Sequence, residues 1–219
     1  MTPRLLSLES ACEALRLGGL IIFPTETFYA VGCNALNPDA VGEVFSVKRR
    51  PLTLPLPLAV SRREQLALLV TDIPPAASLL MDRFWPGPLS LILPARDEVP
   101  DLLTAGVRRL AVRCSPHPAV IALCELSGLV LVASSANISG RRPVFAPETL
   151  DRDLLEGVAG VFVAGPPPAG DLPSTVADVL ERREGPVVRI LREGAVPASA
   201  IAEAGFEVET GCLKEEESA

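Results

Sequence analysis

The chain has 219 residues, of which 48% are hydrophobic and 21% charged, so it holds enough apolar side chain to bury a core and exclude intrinsic disorder. Its net charge of −7 is uneven: residues 201–219 carry six glutamates against one lysine, which leaves only −2 for the first 200 residues. This balance excludes a globally basic surface for nucleic acid, and the lack of an apolar stretch of about 18 residues argues against a membrane span.

The cysteines predict a reduced, cytoplasmic protein. They number five, an odd count, and include no Cys-x-x-Cys pair. Cys114 and His117 have the spacing of a zinc-ligand pair, but a structural zinc needs four ligands and no second pair lies nearby. His117 is the single histidine and no Gly-x-Ser-x-Gly segment is present, so a Ser-His triad is also disfavoured. Buried apolar thiols are the favoured interpretation.

Short elements are predicted because 22 prolines and 16 glycines interrupt the chain often. Asn37 and Pro38 predict the cap and first residue of a helix that ends at Lys48. Ser61 and Glu64 form a capping-box pattern ahead of an apolar run. Further helices are predicted over residues 7–17, 74–84, 117–126, 147–155 and 197–204, and strands over residues 20–23, 89–93, 110–113, 129–133, 158–163, 175–180 and 186–191.

The order of these elements indicates an α/β domain. Helices alternate with strands, but some strands follow one another directly, which is typical of a mixed sheet rather than a strictly parallel one. No change in composition marks a linker. One domain is therefore predicted over residues 1–207, followed by an acidic, disordered tail over residues 208–219.

Phosphate-binding fingerprints are missing, since the chain has neither Gly-x-x-x-x-Gly-Lys-Ser/Thr nor Gly-x-Gly-x-x-Gly. A nucleotide would have to be held by side chains at the ends of strands, where ligands of α/β sheets bind. Candidate residues at such positions are Thr25, Lys48, Arg50, Arg113, Ser135, Asn137, Ser174 and Arg192. Ser, Thr and Asn there are also common as turn-forming residues. Arg113 and Arg192 adjoin apolar strands and need a partner, either an anionic ligand or a structural carboxylate.

Seven sequence blocks occur in a recognisable order over roughly residues 10–200. They are Phe23-Pro-Thr-Glu-Thr-Phe-Tyr-Ala-Val-Gly32, Lys48-Arg-Arg-Pro51 with Pro55-Leu56, Phe84-Trp-Pro-Gly-Pro-Leu89, Ala111-Val-Arg113 with Pro116-His-Pro118, Ser135-Ala-Asn-Ile-Ser-Gly140, Pro173-Ser-Thr-Val176, and Leu191-Arg-Glu-Gly194. Together they resemble the YrdC-like family, because seven blocks in one order are far more specific than any single block.

The resemblance implies a fold and an activity. The expected fold is the short form of the family, a single α/β domain with a twisted mixed parallel and antiparallel sheet, surrounding helices and a large concave basic cavity. The implied reaction forms threonylcarbamoyl-AMP and pyrophosphate from L-threonine, bicarbonate or CO2, and ATP. This nucleotidyl transfer serves threonylcarbamoyladenosine modification of tRNA, so the further partners expected are threonylcarbamoyl-transferase proteins and, in weak contact, tRNA or double-stranded RNA.

The resemblance also implies roles for individual residues. Lys48 and Arg50 would act in catalysis by offsetting the repulsion between two reacting anions. The expected ATP-binding residues are Lys48, Arg50, Ser135, Asn137 and Arg192, and the expected threonine-binding residues are Thr25, Arg113 and Ser174. Mg²⁺ would be carried by the ATP phosphates, and no metal site on the protein itself is expected.

Three positions depart from the family pattern. Ala30 stands where the family usually has Gly, Ala59 where many relatives have His, and Pro143-Val144 lies in a segment that replaces Ser-Pro-Thr. Two alternative functions stay open: a paralogue that acts on another carbamoyl compound, and an RNA-binding module without this activity. Scarce aromatic residues disfavour the RNA-binding module, because few side chains could stack on bases.

Overall fold

The computed structural model of the chain describes residues 3–211. The strands are β1 Leu5–Leu6, β2 Ile21–Pro24, β3 Tyr29–Gly32, β4 Leu58–Val60, β5 Leu89–Pro94, β6 Arg109–Cys114, β7 Leu131–Val132, β8 Ser134–Ser135, β9 Val161–Phe162, β10 Thr175–Arg182, β11 Gly185–Arg192 and β12 Glu207–Thr210. The helices are α1 Leu8–Arg16, α2 Pro38–Lys48, α3 Pro75–Phe84, α4 Asp101–Thr104, α5 Pro118–Ser127, α6 Arg152–Glu156 and α7 Ala198–Glu203. Two 3₁₀ turns cover Arg63–Leu68 and Pro147–Thr149.

The strands form two mixed sheets. The smaller has five strands in the order β1-β9-β2-β3-β8, and the larger has seven in the order β12-β11-β10-β5-β6-β4-β7. The α/β class with parallel and antiparallel pairing is confirmed, but the prediction of one sheet is wrong. The reason lies in residues 131–135, where β7 pairs with β4 of the larger sheet and β8 pairs with β3 of the smaller.

Helix α2 begins and ends as its sequence predicts. The Asn37 side chain accepts hydrogen bonds from the backbone N–H groups of Asp39 and Ala40, both at 3.1 Å, and Pro38 occupies the first turn. The helix ends because Arg49 adopts a left-handed conformation with φ 50°. This end carries Lys48 and directs the chain into the proline-rich segment that follows.

Two clusters of buried apolar side chains form the core. The larger lies between the sheets and combines Ile22 and Val31 of the smaller sheet with Leu91 and Val112 of the larger. The second, which includes Cys12, packs α1 and α5 against β2. Cys12, Cys33, Cys114 and Cys124 are buried and form no disulfide, as predicted.

Several element predictions need correction. Strands β3 and β4 were not predicted, and the helix expected over residues 147–155 divides into a 3₁₀ turn and α6. The capping box at Ser61 is wrong, because the Ser61 N–H and hydroxyl bond the Gln65 side chain and only a 3₁₀ turn follows. The predicted tail is also wrong for residues 208–210, since β12 pairs with β11. Residues 212–219 of that tail lie outside the described residues.

Candidate functional site

The predicted site residues lie at helix and strand ends of both sheets. Lys48 ends α2 and Arg50 follows it, Ser135 ends β8, Arg113 is in β6 and Arg192 ends β11. The remaining three are loop residues: Thr25 follows β2, Asn137 follows β8 and Ser174 precedes β10. Segments far apart in sequence therefore contribute to the site.

Lys48 is the most deeply buried of the cationic residues, with only 1% of its surface exposed. Its Nζ donates to the carbonyl oxygens of Ser135 and, at 2.7 Å, of Asn137, while its own carbonyl accepts from the Ser139 N–H. Burial and the nearby charge of Arg50 lower the pKa of Lys48 to about 7. Lys48 thus joins the end of α2 to the loop over residues 135–139.

Three of the predicted arginines are linked electrostatically, two of them by their effect on the third. The pKa of Arg192 is lowered by burial and also by the charges of Arg113 and Arg50. Burial lowers the pKa of Arg50 as well, and its Nε and Nη2 hold the carbonyls of Leu54 and Pro55 at 3.1 and 2.9 Å. The charges of Arg113 and Arg50 act on Arg192, and the charge of Arg50 acts on Lys48. These effects indicate that the four residues, called here the cationic cluster, share one region of the structure.

Arg113 has a structural carboxylate as a protein partner, one of the two kinds of partner that the sequence left open. Its Nε donates to Glu26 Oε1 at 2.7 Å, and Glu26 Oε2 accepts from the Ser115 hydroxyl at 2.5 Å. Burial raises the pKa of Glu26, but the Arg113 charge and these hydrogen bonds outweigh it and hold the pKa below its usual value. A structural carboxylate therefore takes one edge of the guanidinium.

The other two residues predicted to hold threonine, Thr25 and Ser174, are close to this ion pair. Thr25 Oγ1 donates to the Phe28 carbonyl at 2.8 Å and shapes the turn that presents Glu26. Ser174 Oγ accepts from the Ser90 hydroxyl at 3.1 Å. Strands β5 and β6 are antiparallel and pair Leu91 with Val112, so the preceding residue Ser90 lies beside Arg113. Arg192 Nη2 donates to the Ser174 carbonyl at 2.8 Å.

Two polar atoms in the loop over residues 135–139 are buried without a partner in the described structure. The Asn137 amide donates to the carbonyls of Ile138 and Arg141 at 2.9 and 2.7 Å, which leaves Oδ1 unbonded. The Ser139 hydroxyl is likewise unpartnered. Unsatisfied polar atoms of this kind are uncommon in native interiors, and they cluster here beside Lys48.

A glycine- and proline-rich strap, residues 165–173, is tied to the turn that contains Glu26. The N–H groups of Ala169 and Gly170 donate to the carbonyls of Glu26 and Thr27 at 3.3 and 2.9 Å. His117 Nδ1 accepts from the Ala119 N–H, so Nε2 carries the proton that bonds the Pro166 carbonyl at 2.9 Å. The histidine therefore caps α5 and holds the strap, roles that the single-histidine argument did not anticipate.

The described residues offer little for other kinds of site. No three His, Cys, Asp or Glu side chains between residues 3 and 211 are arranged to hold a metal ion. Over the same range, no helix has the length and apolar character needed to cross a membrane. A surface hollow of about 370 Å³ beside Gln65 and Cys124 contains none of the predicted residues. Both polar ends of Gln65 are already bonded, so the convergent cations mark the better candidate site.

Cations grouped at helix and strand ends are typical of the class of α/β proteins that bind anionic ligands there. Comparison with known sequences narrows this class. The family model that joins Sua5, YciO and YrdC, described as telomere recombination, matches residues 13–194. The chain belongs to this family, which confirms the resemblance seen in the sequence blocks.

Curated relatives agree in name but differ in length. The threonylcarbamoyl-AMP synthase of Pyrococcus abyssi is 39% identical over 191 residues, which make up 87% of this chain and 55% of that protein. The Bacillus subtilis synthase is 38% identical, over 89% of this chain and 55% of its own length. The chain thus spans about half the length of these two relatives. The synthase of Vibrio parahaemolyticus is 31% identical, over 85% of this chain and 98% of its own length.

Solved structures share the fold. The crystal structure of P. abyssi Sua5 complexed with L-threonine has a TM-score of 0.82 and 34% identity, covering 93% of this chain and 60% of that one. Escherichia coli YciO has a TM-score of 0.72 and 27% identity, covering 86% of this chain and 89% of that one. The α/β fold with mixed sheets is therefore shared with these structures.

Proposed function

We propose that the chain is an L-threonylcarbamoyladenylate synthase, which makes threonylcarbamoyl-AMP and pyrophosphate from L-threonine, bicarbonate or CO2, and ATP. Relatives of this chain carry that name over 85–89% of its residues. The product is an activated intermediate, so a threonylcarbamoyl-transferase must deliver it to tRNA. A cytoplasmic location and weak tRNA or double-stranded RNA contact belong to the same proposal.

The cationic cluster supports the proposal. Hydrogen bonds connect Lys48 to the loop over residues 135–139, and they connect Arg192 through Ser174 to Ser90, which lies beside Arg113. The charge of Arg50 acts on both Lys48 and Arg192. In the proposed step, an oxygen of the threonine carbamate attacks the α-phosphorus of ATP, and the bond to the β-phosphate oxygen breaks to release pyrophosphate. Both reactants are anions, so the step depends on alignment and on neutralisation of charge. A cluster of fixed cations supplies both in a concave basic cavity.

The nucleotide half of the site is proposed to use Lys48, Arg50, Ser135, Asn137 and Arg192. The unpartnered Asn137 Oδ1 supports this assignment, because a bound nucleotide would offer the donor that the protein lacks. Arg50 and Arg192 use Nε and Nη2 on backbone carbonyls, so the Nη1 side of each guanidinium would contact phosphate oxygens. Mg²⁺ would bind the phosphate oxygens of the substrate, since it prefers such ligands to a protein cage.

The amino-acid half is proposed to use Thr25, Arg113 and Ser174. Arg113 uses Nε on Glu26, so its terminal nitrogens Nη1 and Nη2 are left for the carboxylate of threonine. Ser174 contacts both Ser90 and Arg192, which supports a position for it between the two proposed halves. Threonine bound here would lie beside the phosphates with which its carbamate reacts.

The test measures pyrophosphate release from ATP and bicarbonate with L-threonine present or absent. The proposal expects release that depends on L-threonine, with glycine giving little because it lacks the hydroxyl and methyl groups. Release that ignores threonine but follows another carbamoyl compound would overturn it in favour of a paralogue. No release, with salt-sensitive binding of double-stranded RNA, would overturn it in favour of an RNA-binding module.

A further inference from the structure

Glu26 is a buried carboxylate inside an otherwise cationic site. Its side chain is 13% exposed, and that of its partner Arg113 is 5% exposed. A buried carboxylate repels anionic substrates that bind close to it, so its presence in this site calls for a structural reason. The contacts of the carboxylate indicate this reason. Oε1 accepts a hydrogen bond from Arg113 Nε, and Oε2 accepts one from the Ser115 hydroxyl.

The backbone around Glu26 is fixed as firmly as the side chain. Thr25 Oγ1 lies 3.3 Å from the N–H groups of both Thr27 and Phe28, and the strap binds the Glu26 carbonyl through Ala169. Ser115 is itself held, since its hydroxyl accepts from the His117 N–H at 3.3 Å. The carboxylate therefore has one position, and it imposes one orientation on the guanidinium.

The other edge of Arg113 is open. Among residues 3–211, no group accepts a hydrogen bond from Nη1 or Nη2, and neither nitrogen is among the fully enclosed unpartnered atoms. These two nitrogens form the end of the guanidinium that can pair with a carboxylate through two parallel hydrogen bonds. Arg113 is also linked to Arg192, because Ser90 beside it bonds Ser174, whose carbonyl accepts from Arg192, and the Arg113 charge lowers the pKa of Arg192.

We infer that Glu26 is a positioning residue, which orients Arg113 through Nε so that Nη1 and Nη2 receive the carboxylate of the amino-acid substrate. This inference rests on the proposed function, because that function supplies the amino acid. Glu26 also compensates one of three neighbouring positive charges, so the guanidinium groups can stand close together without a bound anion. Its contribution should concern threonine far more than ATP.

Glu26→Ala and Glu26→Gln separate the effects of geometry and charge. Gln keeps an oxygen for Arg113 Nε, and its amide can donate to Ser115, so we expect a rise in the KM for L-threonine of only about threefold. Ala removes both contacts and should raise that KM at least about tenfold. The KM for ATP should stay unchanged or fall, because the variants leave more positive charge beside the phosphates.

Three controls make the experiment decisive. Glu13→Gln removes an exposed carboxylate of α1 and should change neither KM. In an Arg113→Lys background the Nε contact is already lost, so Glu26→Ala should add no further rise in the threonine KM. Circular dichroism and the melting temperature identify variants that are only misfolded, and Glu26→Gln keeps the test available if the alanine variant does not fold.

The outcomes separate this inference from the proposed function. A wild-type chain without threonine-dependent pyrophosphate release would overturn the proposed function, and with it the ligand assigned to Arg113. An active wild type with unchanged threonine KM in both Glu26 variants would overturn the positioning role alone. Equal rises in the KM for threonine and ATP would also overturn it, because they would indicate general damage to the site.

Discussion

Lys48 is an amine held out of water at the end of α2, with its Nζ bonded to two carbonyl oxygens. Its pKa of about 7 in the folded protein lies well below its value in the unfolded chain, near 10.4. Between these two values the unfolded chain holds a proton that the folded protein has released. Stability therefore rises with pH across this window, while below it the buried charge destabilises the fold in full.

We predict that Lys48→Met removes this dependence, because methionine fills similar space without an amine. Relative to the variant, the wild-type free energy of unfolding should rise by up to about 1.4 kcal/mol per pH unit above pH 7. Urea unfolding at pH 7 and pH 8.5 measures the two slopes. Burial raises the pKa of Cys33 and Cys124 to about 12, but these thiols affect both proteins alike. Identical slopes would contradict the prediction.

Arg50 is predicted to act on the chemistry rather than on the fold. Arg50→Ala should lower the turnover of threonine-dependent pyrophosphate release at least about tenfold, since a cation aligned with phosphate is worth several kcal/mol in the transition state. Arg62→Ala is the matched control, because Arg62 is exposed and lines the hollow beside Gln65 and Cys124, which contains none of the predicted site residues. Full turnover in the Arg50 variant would show that the phosphates bind elsewhere.

The partners of Arg113 and His117 could not be predicted from the sequence. The sequence shows that a guanidinium beside an apolar strand needs a partner, but Glu26 lies 87 residues from Arg113, and only the fold joins them. The role of His117 was missed for the same reason, since Pro166 lies 49 residues away. Local sequence predicts that a charge must be satisfied, whereas tertiary structure decides by which group.

Helix α2 and strand β3 each contain a glycine, and the two glycines differ in the space around them for an added Cβ. A Cβ at Gly42 in α2 would meet only Leu102, at 3.8 Å, which is an ordinary contact. A Cβ at Gly32 in β3 would lie 2.0 Å from the Val132 carbonyl oxygen and 2.8 Å from the Phe23 ring. The first position has room for a methyl group, and the second has none.

We therefore predict that Gly42→Ala stabilises the protein by about 0.5–1 kcal/mol, because alanine restricts the unfolded chain and favours the helix. Gly32→Ala should destabilise it severely, because the backbone of β7 would have to move. Urea midpoints of the two variants measure both effects. A destabilised Gly42 variant, or a Gly32 variant that unfolds like the wild type, would contradict the packing described.

The helices were easier to predict than the short strands. Helix α2 was found from its ends, because the Asn37-Pro38 start and the prolines beyond Lys48 are local signals. Strands β3 and β4 are buried on both faces, so they show no alternation of polar and apolar residues. The prediction of a single sheet was wrong because the strands that pair are far apart in sequence, whereas a helix cap lies next to its helix.

At the scale of the whole molecule, the two sheets share one core and one stretch of backbone. Residues 131–135 run from the larger sheet into the smaller, and buried side chains of both sheets pack in the same cluster. The chain has one tryptophan and one tyrosine. Trp85 donates to the Leu89 carbonyl at the larger sheet, and Tyr29 begins β3 of the smaller, so each reports on one sheet.

We predict that Trp85 fluorescence and Tyr29 near-ultraviolet absorbance follow the same urea transition, because neither sheet can keep its core without the other. Coincident midpoints and slopes would support a single cooperative unit. Two separated transitions would contradict it and would indicate that the sheets unfold independently.

The crossing stretch also limits how the chain can change in length. Within five residues, this stretch pairs with β4, continues through Ala133 and pairs with β3. Lys48 then donates hydrogen bonds to the carbonyls of Ser135 and Asn137. One inserted residue would turn the side chains of β8 to the opposite face and break the hydrogen bonds from Lys48. Insertions should be accepted instead at the β10–β11 hairpin, where Arg183 and Glu184 are exposed and no site residue follows within the turn.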